Sequence, residues 1–425
     1  MANIVTVGMG YVGLTTALGF AKLGHNVVGV EIDRQKFAVI ASGQIPIFEP
    51  ELEALLREAL SSGRLTLTDS IESASQTRCA YFVCVPTPQD DNGSADLTYV
   101  LSAVKEISDF AQEESLIVIK STVPVGSGEM LQSSIKRNDL LFASNPEFLR
   151  EGSALHDFMN PDRIVVGAEN NSTAQLVLDL YANIDTQKIT TTVKSAELIK
   201  YAANAYLASR LSFVNDIAAL CEVVGANVED VVHGMGSDSR IGISFLKPGP
   251  GWGGSCFPKD TRALLSVGRE NGVALDVVAA SITSNQAAFV RVANRLKFLL
   301  GGELNGKKIA IWGLSFKAGT DDTRDSPSLE IIKELLRHGC EVKAFDPVAT
   351  APEWVGLSQA ESATLATVGA DALLVVTEWS EFGNVDPLSV SKQMSGSVVL
   401  DTRRVLSAKD WRLQFQHFHV LGEGS

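Results

Sequence analysis

The five-residue run NIVTV (3–7) passes straight into three glycines, Gly8, Gly10 and Gly13, followed by the helix-like segment LTTALGFAKLG and a second apolar run, NVVGV (26–30). A strand, a glycine turn, a helix and a returning strand leave few solutions. With a helix crossing between them, the two strands lie parallel in one sheet. Further apolar runs at AYFVCVP (80–86) and SLIVIKST (115–122), separated by helical stretches, extend the pattern into a doubly wound domain reaching to about residue 190.

From Ser195 the texture changes. SAELIKYAANAYLASRLSFVNDIAALCEVVG keeps a helical character with neither proline nor glycine before its end, which predicts one long helix linking two lobes. Helical segments continue to about residue 300, and GGELNGKK (301–308) makes a polar, glycine-containing joint. Beyond it KIAIWGLSF, SPSLEIIKELLRHG and EVKAFDP repeat the strand, loop, helix, strand order, with ALLVVT (372–377) and SVVLDT (397–402) as later strands. The expected fold is α/β: two doubly wound Rossmann-like domains, 1–194 and 301–425, joined by a long central helix and a helical region, 195–300. A chain of 425 residues is long enough for two or three such cores.

The three glycines have separate duties in G-x-G-x-x-G: the first permits the tight turn, the second lets a pyrophosphate approach the backbone, and the third lets helix and strand pack closely. Tyr11 and Val12 fill the loop between them. Glu31, at the end of the second strand, can hold the ribose hydroxyls of an adenosine and would repel a 2′-phosphate, so NAD is expected rather than NADP. Arg34 and Lys36 nearby weigh the other way. The alternative is a glycine turn with no ligand.

A second glycine-rich stretch, GPGWGGSCFPKD (249–260), sets Cys256 behind four glycines and two residues ahead of Pro258. Proline suits the first turn of a helix, so Cys256 is expected at the helix N-terminus, where the dipole favours a thiolate. The bare backbone would admit a ligand, and Asp260, four residues on, would face the sulfur or a water beside it. Cys79, Cys84, Cys221 and Cys340 read as packing residues. Five unpatterned cysteines give neither a disulfide framework nor a zinc site, and no metal is expected.

Lys200 and Asn204 lie four apart on the long helix, a spacing that serves either a solvated face or a shared site. Glu147 and Glu151 follow an apolar run in LLFASNPEFLREG (140–152), where a strand end would make either a candidate general base. The formal net charge of −14 and pI near 5.0 disfavour nucleic acid and anionic membrane as partners. The N-terminus lacks the basic start of a signal peptide and no apolar run is long enough to span a bilayer, so a reducing, cytoplasmic setting is expected.

Ten segments, in order, carry a resemblance: GMGYVG, IPIFEPEL (45–52), CVPTP (84–88), STVPVG (121–126), NPEFLREG (145–152), ELIKYAANAYLA (197–208), DSRIG (238–242), GPGWGGSCFPKD, FKAGTDDTRDSP (316–327) and DTRRVL (401–406). Together they resemble the nucleotide-sugar 6-dehydrogenase family, the UDP-glucose/GDP-mannose dehydrogenases. The resemblance implies oxidation of a sugar C6 alcohol to a carboxylate with two NAD molecules and water, through a cysteine thiohemiacetal and thioester. The implied substrate is UDP-glucose, with GDP-mannose or a UDP-N-acetylhexosamine as alternatives. A catalytically silent NAD-binding protein is the alternative of a different class.

The resemblance also implies roles. Cys256 matches the nucleophile, Lys200 and Asn204 the donors to a developing oxyanion, Asp260 and Thr122 the organisers of a water or proton, and Glu147 the residue assisting thioester hydrolysis. Thr87, Ser121, Thr122, Glu151, Lys36 and Arg324 match contacts to the dinucleotide. Glu147, Phe148, Leu149, Lys200, Asn204, Gly253 and Lys317 match sugar-nucleotide contacts, and Arg404 matches the arginine at the uridine end. Arg240 resembles an arginine that crosses a homodimer interface to the neighbouring site. The family often carries Asp where this chain has Glu31, and a phenylalanine is familiar at Trp252, where an apolar wall is expected.

Overall fold

The computed structural model describes residues 1–49, 51–90, 93 and 95–424; Pro50 of the IPIFEPEL segment lies outside them. The chain divides into two compact units, Met1–Ala203 with Arg262–Val273, and Asn204–Thr261 with Ala274–Ser425.

The sheet of the first unit contains β1 (Asn3–Val7), β2 (Asn26–Val30), β3 (Leu65–Thr68), β4 (Ala80–Val83), β5 (Leu116–Ile119), β6 (Leu141–Ser144), β7 (Arg163–Ala168) and β8 (Gln187–Thr191). Their spatial order is β3-β2-β1-β4-β5-β6-β7-β8, with every pair parallel except β6 with β7. The order reverses at β1, where β2 leaves to one side and β4 to the other. In open α/β sheets ligands bind at that switch point, beyond the strand ends. Ile4 and Phe82 belong to one core cluster and Val5 and Val83 to another, as alternation along a strand covered on both faces requires.

The second unit repeats the plan. Its strands are β9 (Lys308–Trp312), β10 (Glu341–Phe345), β11 (Leu357–Gln359), β12 (Ala372–Val375), β13 (Val398–Asp401) and β14 (His417–Val420), all parallel, in the order β11-β10-β9-β12-β13-β14. Ile309 and Ile311 join one core cluster; Ala310 and Trp312, with Trp411 and Phe382, join the other. The predicted long helix runs Val193–Val224, and the helix behind the cysteine runs Phe257–Glu270.

Candidate active site

The first unit builds the glycine loop as the spacing predicts. Gly8 sits at φ +86°, and a Cβ on Gly13 would lie 1.7 Å from the Gly8 carbonyl oxygen, so neither position tolerates a side chain. Gly10 meets nothing within 4 Å and caps the helix Tyr11–Lys22, leaving open space at a helix N-terminus. Glu31 is buried at the end of β2. One carboxylate oxygen accepts the Met9 N–H at 3.1 Å and faces Lys36 at 3.4 Å, and the other accepts the Asp33 N–H at 3.0 Å. That ties the acid to the glycine loop. These features fit a dinucleotide: turn, open phosphate approach and carboxylate occur together.

Neighbouring strand ends add to this surface. The Thr87 hydroxyl donates to the Thr122 carbonyl at 3.0 Å, and the Ser121 hydroxyl to the Val85 carbonyl at 2.7 Å, joining the loops after β4 and β5. The Tyr11 hydroxyl donates to Glu49 at 3.1 Å, and Glu49 also accepts the N–H groups of Gly152 and Ala154. Glu49 thereby fixes the turn bearing Glu151. Burial first, then the charges of Glu49 and Glu151, push the Tyr11 phenol above its ordinary range.

Glu147 follows β6 by three residues and is buried beside Lys200, whose ammonium donates to it at 2.8 Å. The Leu149 N–H donates to the other oxygen at 2.6 Å. Burial alone would raise this carboxyl; the Lys200 charge and hydrogen bonds outweigh it and hold Glu147 below the usual range. The Phe148 ring carries the Arg163 guanidinium 3.6 Å above its centroid and Lys200 at 5.5 Å.

In the second unit Cys256 caps its helix: its carbonyl accepts the Asp260 N–H at 2.8 Å, and Pro258 falls in the first turn. Cys256 is half-buried, whereas the other four cysteines are buried. Burial pushes the Cys84 thiol up to about 12 and Cys340 up to about 11. The Ser255 hydroxyl lies 3.6 Å from the Cys256 sulfur. Asp260 is buried, accepts the Asn204 amide N–H at 2.6 Å and pairs with Lys259 at 3.0 Å.

The glycines before Cys256 differ from the bare surface expected of them. A Cβ on Gly253 would stand 1.9 Å from the Asp325 carbonyl oxygen, and one on Gly251 would meet the Phe289 ring at 2.4 Å. The space is filled by neighbouring chain, and the glycines are there because other segments press against them. The Gly254 N–H donates to the Arg324 carbonyl at 2.9 Å, so 253–254 is clamped to 324–325. Trp252 is a buried wall, its indole N–H on Ser212 at 2.9 Å and its backbone held at both ends by Asn285.

The cations are engaged locally. Arg240 and Arg324 each make paired hydrogen bonds to the aspartate two residues earlier, Asp238 and Asp322. Arg404 donates to the Leu421 carbonyl at 2.8 Å and pairs with Glu229 at 3.1 Å. Lys317 lies over the Phe316 ring at 5.5 Å. Arg403 went unnoticed in the sequence, yet it donates to the carbonyls of Val376 and Phe316, bracing the segment before Lys317. Asn145, Lys120 and Glu49 were missed too; for Asn145 and Glu49 the signal was their place inside the matched segments NPEFLREG and IPIFEPEL.

Three consecutive models of the UDP-glucose/GDP-mannose dehydrogenase family match the chain: the NAD binding domain over residues 2–185, the central domain over 194–287 and the UDP binding domain over 310–408. The chain belongs to this family. It is 40% identical over 432 residues to a UDP-glucose 6-dehydrogenase of Bacillus subtilis, covering 99% of this chain and 93% of the relative. It is 41% identical to a UDP-glucose 6-dehydrogenase of Rhizobium meliloti, covering 95% of each. Among solved structures, a UDP-glucose dehydrogenase of Pyrobaculum islandicum superimposes with a TM-score of 0.92 at 36% identity, covering 100% of this chain and 98% of that one. Within the UDP-glucose/GDP-mannose dehydrogenases, the glycine loop falls in the NAD binding domain and Cys256 in the central domain.

Proposed function

We propose that the chain oxidises UDP-glucose to UDP-glucuronate with two NAD+ and water. The observation that carries the chemistry is Cys256: a half-buried cysteine at a helix N-terminus, in a chain about 40% identical to curated UDP-glucose 6-dehydrogenases over nearly its whole length. Bound NAD+ supplies the hydride acceptor for both oxidations. Gly8, Gly10, Tyr11, Val12, Gly13, Glu31, Lys36, Thr87, Ser121, Thr122, Glu151 and Arg324 would hold it.

The C6 alcohol first loses a proton and a hydride to become an aldehyde. The Cys256 thiolate then adds to that carbon, forming a C–S bond and an alkoxide that Lys200 and Asn204 stabilise as donors. Loss of the second hydride re-forms C=O as a thioester. Water, deprotonated with the help of Glu147 and organised by Asp260 and Thr122, attacks the carbonyl; the C–S bond breaks and the thiolate is restored. The sum is one alcohol, two NAD+ and one water giving one carboxylate, two NADH and three protons. Phe148, Leu149, Gly253, Lys317 and Arg404 would seat the sugar nucleotide.

The chain acts as a homodimer in this proposal. Tyr206, Phe213, Leu220 and Val224 are exposed along the long helix at spacings of seven, seven and four, an apolar stripe suited to a second copy. Arg240, 87% exposed at its side chain, would exchange its Asp238 partner to reach the partner's site. The free thiols of Cys79, Cys84, Cys221 and Cys340, together with the absence, among the described residues, of a helix long and apolar enough to cross a membrane, support placing it in the cytoplasm. The test is NADH counted per sugar nucleotide consumed. Two per UDP-glucose is expected. One per UDP-glucose, or turnover of GDP-mannose with none of UDP-glucose, would overturn the assignment.

A further inference from the structure

Lys120 follows β5 directly, two residues before Thr122, and its side chain is buried. A buried ammonium loses its hydration, and its surroundings must compensate. Its hydrogen bonds go to neutral groups: the Asn145 amide oxygen at 3.2 Å and the Tyr181 hydroxyl at 3.4 Å, with the Tyr181 ring centroid 5.9 Å away. Tyr181 donates to the same Asn145 oxygen at 2.8 Å, and the Asn145 amide N–H donates to the Val165 carbonyl at 2.8 Å. Three other segments of the first unit, those of Asn145, Val165 and Tyr181, thus hold this cation in place. Asn145 is also two residues ahead of Glu147, on the peptide that carries that carboxylate out of β6.

The titratable groups that face Lys120 are Cys84 after β4, Glu147 after β6, Lys200 on the long helix and Tyr181 before β8. Burial drives the Cys84 thiol up to about 12 and the Tyr181 phenol well above its ordinary value, so both stay neutral. Glu147 is the anion of the group. It feels Lys120 as well as Lys200, and both lower its carboxyl. Burial brings Lys120 itself down to about 8, against the upward pull of Cys84 and Glu147.

We propose that Lys120 is a positioning residue for Glu147: its ammonium, fixed by Asn145 and Tyr181, keeps the Glu147 carboxylate ionised in concert with Lys200. The inference rests on the proposed oxidation only where it gives that carboxylate the hydrolytic step. Lys120 touches neither substrate nor cofactor in this assignment, and it acts through charge.

The test uses Lys120→Gln, which keeps hydrogen-bonding capacity and removes the charge, with Lys120→Arg as the conservative control. The full-length proteins are labelled with 13C at glutamate carboxyl carbons, and Glu147 is assigned by its loss in Glu147→Gln. Removing a nearby cation disfavours the charged carboxylate, so Glu147 should titrate about one pH unit higher in Lys120→Gln and return to the wild-type position in Lys120→Arg. The acid limb of kcat, read by NADH release, should move the same way, with KM for either substrate within threefold. An unchanged Glu147 titration in folded Lys120→Gln protein would overturn the inference, even if stability fell. If Lys120→Gln does not fold, Lys120→Met carries the same titration with the same two outcomes. Wild-type protein that makes no NADH from UDP-glucose defeats the activity proposal, while the carboxyl titration decides the role of Lys120 separately.

Discussion

Lys200→Met isolates the buried ion pair of the first unit. Lys200 and Glu147 are both nearly inaccessible and 2.8 Å apart, so removing the ammonium leaves a carboxylate in a low-dielectric pocket with the Leu149 N–H and the more distant Lys120 to support it. Removing one partner of such a pair costs about 3–5 kcal/mol, and the surviving support points to the lower end, about 3 kcal/mol. A unit of about 200 residues unfolds with an entropy near 0.4 kcal/mol/K, so the melting temperature of that unit should fall by about 7 °C at pH 8. The loss should also depend on pH. In the wild type the folded carboxyl lies below its unfolded value, so its contribution is present above the unfolded value and lost only as pH falls through the folded one. In Lys200→Met burial dominates, the folded carboxyl rises above its unfolded value, and stability declines as pH climbs from one to the other. Denaturation at pH 5 and pH 8 should therefore show the smaller loss at pH 5, by about half. An equal loss at both pH values, or a loss under about 1 kcal/mol at pH 8, refutes the reasoning.

Other positions give sharper yes-or-no outcomes. Gly13→Ala places a methyl against the Gly8 carbonyl and should weaken NAD binding at least tenfold by calorimetry, while UDP-glucose binding changes little; unchanged NAD affinity would contradict the tight loop. Gly253→Ala forces Asp325 away from the segment leading to Cys256 and should lower kcat about a hundredfold, a figure typical of a small misplacement of reacting groups; wild-type kcat in that protein would show the clamp to be irrelevant. Phe213→Arg puts a charge in the exposed stripe of the long helix and should shift sedimentation of the proposed dimer toward monomer; sedimentation unchanged from the wild type would contradict an interface on that stripe.

Much of the scaffold is written locally. NIVTV and NVVGV became β1 and β2 at the same bounds, and the helix expected from Ser195 runs Val193–Val224, because period and breakers are properties of adjacent residues. β8, QKITT, escaped notice as a polar, half-exposed edge strand, and β11 has three residues, too few to show alternation. The site divides in the same way. Gly8, Gly13 and Glu31 could be read from spacing after a strand, and the paired acids after LLFAS from their place at a strand end. What the glycines before Cys256 pack against could not be read, since Asp325 and Phe289 arrive from distant segments. Lys120 is one polar residue at the end of the apolar run SLIVIKST, and its partners Asn145 and Tyr181 come from 25 and 61 residues away.

The covalent step proposed at Cys256 is open to direct observation. Glu147→Gln protein mixed with UDP-glucose and NAD+, quenched in acid within the first turnover and digested, should yield the Cys256 peptide carrying the mass of a UDP-glucuronyl thioester. UDP-glucuronate accumulating in that same reaction while the Cys256 peptide stays unmodified, or an adduct on Cys79, Cys84, Cys221 or Cys340 in its place, would contradict the assignment of the nucleophile.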